Sequence, residues 1–184
     1  MSKTFQEDHN RLFDNLKNAL NTDMATMAVE ANGGRSILFV YPFEEDDEYI
    51  EEGKKRLPSE QFEFVDIRDT LVDFVNSIGH DTFKEILENF GKEIYRSDNT
   101  SKGTFFEFLM NKIVNAYQNG KSPVLIHTGA LYGMEISNIH IMEDERVMYA
   151  KRQLVVFYPA SVEGETIKFM GIHPASHYRC IVIK

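Results

Sequence analysis

The chain has 184 residues, 42% hydrophobic and 27% charged, the size and composition of one ordinary domain that can bury a core without staples. Its 29 acidic and 20 basic residues leave a net charge of -9, which argues against a general nucleic-acid binder, because phosphate neutralisation needs an excess of Lys and Arg. Cys180 is the sole cysteine, so an internal disulfide is excluded, and no apolar run reaches the roughly 18 residues of a membrane span.

The opening residues, MSKTFQEDHNRLF, lack the apolar core of a signal peptide, so the expected location is the cytoplasm. Over residues 2–20, Phe5, His9, Leu12, Phe13, Leu16 and Leu20 recur at three- and four-residue spacing, which predicts an amphipathic helix. Residues 22–31, with Met24, Met27 and Ala28, are ambiguous between a further helical turn and a loop; Asn32, Gly33 and Gly34 end them. The run SILFVY at 36–41 does not alternate, which predicts a central strand buried on both faces and closed by Pro42. In a phosphate-binding ATPase such a strand leads into G-x-x-x-x-G-K-[ST], whose backbone amides cradle phosphates. Here it leads into Pro42, Phe43, Glu44, Glu45, Asp46, Asp47 and Glu48. That segment has neither Gly nor Lys, and its carboxylates would repel a triphosphate, so the phosphate loop is absent. The acidic run reads as a helix N-terminus, where negative charge complements the dipole, in preference to a metal site. Tyr49, Ile50 and Leu57 follow at helical spacing.

Residues 62–67 alternate and predict a second strand with Asp66 near its end. Residues 68–78 predict a helix with Leu71, Val72, Phe74, Val75 and Ile78 inward, stopped by Gly79. A further helix starts at His80 or Asp81, with Phe83, Ile86, Leu87, Phe90 and Ile94 on one face. Residues 97–103, SDNTSKG, are the clearest loop. Thr104 caps the next helix, in which Phe105, Phe108, Leu109, Lys112, Ile113 and Tyr117 repeat, and Asn119 and Gly120 end it. Residues 123–127 read as a third buried strand and 128–133 as a loop at its carboxyl end. A helix is expected from Glu135 to about Arg146, then a fourth strand at 154–158 closed by Pro159. Residues 166–170 and 178–183 read as a hairpin around 171–176. Strands alternating with helices imply a mainly parallel sheet with right-handed crossovers. The expectation is a single α/β domain over 1–184, with an N-terminal helical segment at 1–35 and a sheet core at 36–184.

In open α/β sheets the ligand crevice lies beyond the carboxyl ends of the strands. Those ends here carry Pro42, Asp66, the stretch from His127 to Tyr132, and Tyr158 to Ser161. His127 has the widest chemical range, as acid, base or ligand; its plain reading is a strand-end histidine bonded to nearby backbone. No G-x-S-x-G nucleophile elbow is present, and Cys180 reads as a small core residue. His140, His173 and His177 match no H-E-x-x-H or H-x-H spacing, and no metal or cofactor is expected. Tyr178 and Arg179, adjacent on a strand, point to opposite faces. Whether Arg179 pairs with a carboxylate at the sheet edge or faces a partner stays open.

The C-terminal third carries a resemblance. Gly129 and Tyr132 follow an apolar strand; then come Phe157, Tyr158 and Pro159, Phe169 and Gly171, and finally Tyr178 and Arg179. In this order, over about the last 60 residues, the chain resembles the BrxB family of the bacteriophage-exclusion (BREX) systems of bacteria, a family described as a domain of unknown function. Two positions depart from the family pattern. A Tyr-Pro-x-x-Arg is replaced here by Tyr132, Gly133, Met134, Glu135 and Ile136, and a Gly after the Phe-Tyr-Pro is replaced by Ala160. The resemblance implies antiviral defence, with the chain as a component that associates with the alkaline-phosphatase-like PglZ, the ATPase BrxC and the methyltransferase PglX. The expected fold is a three-layer sandwich, like a phosphate-loop NTPase without its phosphate loop or a Rossmann-like fold, with an antiparallel C-terminal hairpin.

Two functions compete on these residues. The first is a non-catalytic interaction protein of a defence complex, with no direct nucleic-acid contact and no membrane. The second is a small-ligand or nucleotide-binding domain with weak or no hydrolase activity, lined by Asp66, His127, Thr128 and the acidic run. The candidate cleft or partner-binding residues are Pro42, Asp66, His127, Thr128, Gly129, Tyr132, Tyr158, Pro159, Tyr178 and Arg179.

Overall fold

Three of the apolar runs become strands with every side chain buried in their parallel part. They are β1 (Ser36–Tyr41), β3 (Ser122–Ile126) and the first half of β4 (Leu154–Glu163). A computed structural model describes residues 3–96, 103–175 and 178–184, without the side chains of residues 3–6. With β2 (Phe62–Asp66) and β7 (Cys180–Ile183) these strands form a parallel sheet in the order β2-β3-β4-β1-β7. Two short strands, β5 (Thr166–Phe169) and β6 (His173–Pro174), join antiparallel to the end of β4.

Helices cover both faces, so the protein is a three-layer α/β sandwich. On one face α1 (Lys3–Leu20), α2 (Met24–Glu30) and α3 (Asp46–Arg56) pack Leu16, Met27, Tyr49 and Ile50 over Phe39, Val124 and Phe157. On the other lie α4 (Ile67–Ile78), α5 (His80–Phe90), α6 (Phe105–Gln118), α7 (Asn138–Met142) and α8 (Glu145–Met148). Their Phe74, Leu109, Ile141 and Val147 cover Leu38, Leu125 and Val156. The chain runs from β2 to β3 to β4 on this second face and from β1 to β2 on the first, in opposite directions along the sheet, as right-handed crossovers require. Among the described residues no helix is long and apolar enough to cross a membrane.

Several expectations need correction. The loop expected at 97–103 lies outside the described residues except for Gly103. The helix expected over 135–146 is two short helices. Gly133 and Glu135 take left-handed backbone (φ 83° and 61°), and the Asp144 carboxylate accepts from Arg146 N to start a new turn. Pro159 does not close β4. The strand runs through it to Glu163, and the Pro159 carbonyl accepts from Met170 N at 2.9 Å. The ladder changes partner there, from β1 to β5, and a proline is tolerated where a ladder is interrupted. The last strand is not in the hairpin: β7 pairs parallel with β1 (Ser36↔Cys180), and the antiparallel partners of β5 are β4 and β6. Val72 is 57% exposed and Phe90 61% exposed. For Phe90 the reason is that α5 packs Phe83 and Ile86 against the core but buries no residue fully.

Gly53 sets how closely α3 approaches the sheet. A Cβ there would lie 2.6 Å from Cζ of Phe157, a ring enclosed by Phe39, Tyr41 and Phe64. Gly53→Ala gains up to about 1 kcal/mol of helix propensity, but overpacking a closed core costs about 1–3 kcal/mol. The expected outcome is a net loss of about 1–2 kcal/mol in urea unfolding followed by circular dichroism; a stabilised variant would contradict this packing.

Candidate functional site

Asp66 is the last residue of β2 and the N-cap of α4, so its carboxylate is fixed at the carboxyl edge of the sheet. Its Oδ1 accepts from Arg68 N at 2.9 Å, satisfying an orphan donor of the helix. Its other oxygen, Oδ2, accepts from His127 Nδ1 at 2.7 Å. His127 follows β3, with its side chain 8% exposed and its backbone in the left-handed region at φ 54°. A non-glycine residue held there marks a strained position, of the sort that concentrates at functional sites. With Nδ1 donating to Asp66, Nε2 is the acceptor, and it takes a hydrogen bond from the Arg68 guanidinium. Asp47 Oδ1, in the first turn of α3, lies 3.7 Å from the same nitrogen. His127 is therefore bonded to side chains of two other elements and not to nearby backbone. Its ring joins β2, β3 and α4.

The acidic run spans a 3-10 turn at Phe43–Glu45 and the first turn of α3. Each carboxylate of its centre faces a neighbour. Glu45 lies 3.4 Å from His9 Nε2, and Asp46 accepts from the Tyr41 hydroxyl at 2.6 Å. Burial, with Asp46 beside it, pushes the Tyr41 phenol well above its ordinary value.

The other candidates separate into different places. Thr128 is buried and donates to the Phe157 carbonyl at 2.7 Å, a structural bond between β3 and β4. Gly129 lies under the thioether of Met170: a Cβ would stand 3.0 Å from its sulfur. Pro42 lines a cavity of about 520 Å³ beside Tyr41, Tyr49 and Ser161. Pro159 lies within β4. Tyr132, Tyr158 and Tyr178 meet around a separate cavity of about 350 Å³, with Phe169 and His173. Tyr178 packs inward, its hydroxyl 3.0 Å from that of Tyr158, while Arg179 is exposed with Nε 3.9 Å from Glu143. So the ten residues form one bonded cluster, one aromatic cavity and several structural positions.

The crevice is covered on its β3 side, while the cavity of about 520 Å³ beside Pro42 and Ser161 stays open at the ends of β1 and β4. Because β1 and β4 are neighbours whose onward connections run opposite ways along the sheet, the switch point falls between their carboxyl ends. The Met170–Gly171 turn between β5 and β6 lies over part of the crevice. A Cβ on Gly171 would lie 2.8 Å from the Phe43 ring, and Met170 covers Gly129. Met170 and Arg68 were not anticipated. Arg68 sits two residues after Asp66 in the first turn of α4, but its partner is 59 residues away.

Among the described residues no group of three or more His, Cys, Asp or Glu could hold a metal ion. His140 is engaged with Ser137 at the start of α7, and His173 stands with its ring 5.1 Å from that of Tyr132. His177 lies outside the described residues. No protein-family model matches the chain, and no match was found among curated proteins or solved structures.

Two outcomes are expected. Asp66→Ala removes a helix cap and the partner of His127, which together lower stability by about 1–3 kcal/mol in urea unfolding, whereas Asp66→Asn, still able to cap, loses less. Equal losses would show that the cap alone matters least. Burial pushes the Cys180 thiol up to about 12, so at pH 8 a thiol reagent should label it only after denaturation; native labelling at the unfolded rate would contradict its placement.

Proposed function

We propose that the chain works by binding and not by turnover, as an interaction component of a larger cytoplasmic assembly. The kind of assembly implied by the BrxB resemblance is a bacterial antiphage complex containing the phosphatase-like PglZ, the ATPase BrxC and the methyltransferase PglX. The observation that carries this reading is the Met170–Gly171 turn laid over part of the crevice. Where an open α/β sheet presents its ligand site, this chain places Phe43 against Gly171 and Met170 against Gly129. The first strand leads into a carboxylate-rich helix start with no phosphate cradle. The resemblance rests on the residues between Gly129 and Arg179, and four of them, Tyr132, Tyr158, Phe169 and Tyr178, line one cavity.

A second reading, a small-ligand or nucleotide site with weak hydrolase activity, has its own support. The Asp66–His127 pair has the geometry of an oriented base, on a strained backbone. Against it, Nε2 is covered by Arg68.

The test is affinity capture of the tagged protein from cells expressing its neighbouring genes, with mass spectrometry of what returns. Recovery of a phosphatase-like protein, a large ATPase or a methyltransferase is expected. Hydrolysis of a nucleotide or phosphoester by the purified protein, abolished by His127→Ala, would replace the first reading with the second.

A further inference from the structure

The cavity around Tyr132 has a composition that selects its ligand. At about 350 Å³ it is within the size range of small-molecule sites. Its walls are four aromatic rings supplied by separate parts of the chain: Tyr132 after β3, Tyr158 on β4, Phe169 on β5 and Tyr178 before β7. Tyr158 lies 4.7 Å from Phe169 at 35° and meets Tyr178 edge-on at 5.9 Å and 74°. Tyr132 is 61% exposed and is steadied by the His173 ring.

Two acceptors on the wall lack a strong partner. Among the described residues lining it, Glu135 is the one carboxylate, and neither Lys nor Arg is present. Glu135 is held on left-handed backbone at φ 61°. Lys92 approaches it only to 4.0 Å, with both side chains more than half exposed, and such a pair is weak. Asn138, on the same wall, keeps a buried amide oxygen without a hydrogen-bond partner. Aromatic faces carry the negative side of the ring quadrupole and attract cations. The net charge of -9 adds a field of the same sign. A phosphate or carboxylate ligand would meet the Glu135 carboxylate, with His173 the one basic side chain among the described lining residues.

We propose that this cavity binds an organic cation, an ammonium or guanidinium group seated against the rings with Glu135 at the rim. The group can be carried by a free small molecule or by a basic side chain of a protein partner. The proposal deepens the binding reading above and rests on it for the second source alone.

The experiment titrates the full chain with tetramethylammonium and with N-acetyl-arginine amide, following tyrosine ring resonances by NMR. Neopentanol and N-acetyl-citrulline amide serve as uncharged isosteres. Saturable binding of at least one cation is expected, with the isosteres about tenfold weaker or more. Tyr132→Ala should weaken binding about tenfold, and Glu135→Gln about threefold with a flatter salt dependence. Both side chains are exposed, so an unchanged Tm checks the fold. Tighter binding of tetramethylammonium assigns a free quaternary ammonium ligand. Tighter binding of the arginine amide, with both variants losing the captured partner, assigns a partner side chain. If neither cation moves the rings, or if the isosteres bind equally well, the proposal is overturned, and a partner captured as well by both variants then leaves only the general binding reading. An empty capture beside intact cation binding removes that general reading and leaves the cavity's ligand class in place.

Discussion

The six-residue pairing of β1 with β4, from Ser36↔Leu154 to Tyr41↔Pro159, is the constraint on which the other placements depend. Both strands are buried on both faces, so each needs a helical layer on either side, and each large apolar side chain buried there contributes about 1.5–3 kcal/mol relative to exposure. Phe157 shows how the constraint propagates. Its ring projects to the face of α1 and α3, meets Phe39, Tyr41 and Phe64, and touches α3 where Gly53 leaves room. The seating of α3 on this ring puts its acidic first turn at the carboxyl edge, with Asp47 within reach of His127. On the opposite face Tyr158, the next residue, supplies a wall of the aromatic cavity. Alternation along one strand thus serves both regions.

The carboxyl edge is partly covered by elements that come late in the chain. Beyond Pro159 the second half of β4 leaves the parallel ladder and folds with β5 and β6 into a short antiparallel extension whose turn lies across the ends of β1 and β3. Two glycines make this fit possible. Gly171 takes φ 70° against the Phe43 ring, and Gly129 leaves space for Met170. A side chain at Gly171 would strain the turn and press on the Phe43 ring, and one at Gly129 would displace the Met170 thioether. Bonds between carboxylates, His127 and Arg68 then hold the same edge from the β2 side.

The fold was legible in the sequence where the signal is local. Continuous apolar runs located β1, β3 and the start of β4; helical spacing located α1, α4 and α6; Thr104 and Asn119 marked the ends of α6. Partners of strands were less legible. The apolar run at Cys180 reads the same whether it pairs with β5 or with β1, and the choice is made by distant packing. Pro159 signals a stop by local rules and is overridden because the ladder changes partner there. The site was half legible. Strand ends picked out Asp66 and His127, which do meet, but Arg68 and Asp47 join them through separations of 59 and 80 residues. The aromatic cavity draws on positions 132, 158, 169 and 178, whose spacing carries no period. Leu87 and Phe90 follow the helical period yet stay exposed, because periodicity reports a face and not what covers it.

The strand order has a consequence for how the chain acquires its structure. β1 is the first strand to be made, but its two neighbours in the sheet are β4 and β7, which begin at residues 154 and 180. During synthesis the SILFVY segment therefore leaves the ribosome well before β4 and β7 exist to pair with its edges. Loop closure over such distances is slow, and an unpaired apolar strand is prone to associate with other chains meanwhile. Helix α1, which packs against β1 in the finished fold, is one element made early enough to shield it. At this nascent stage the chain exposes an apolar strand edge that the finished sandwich covers.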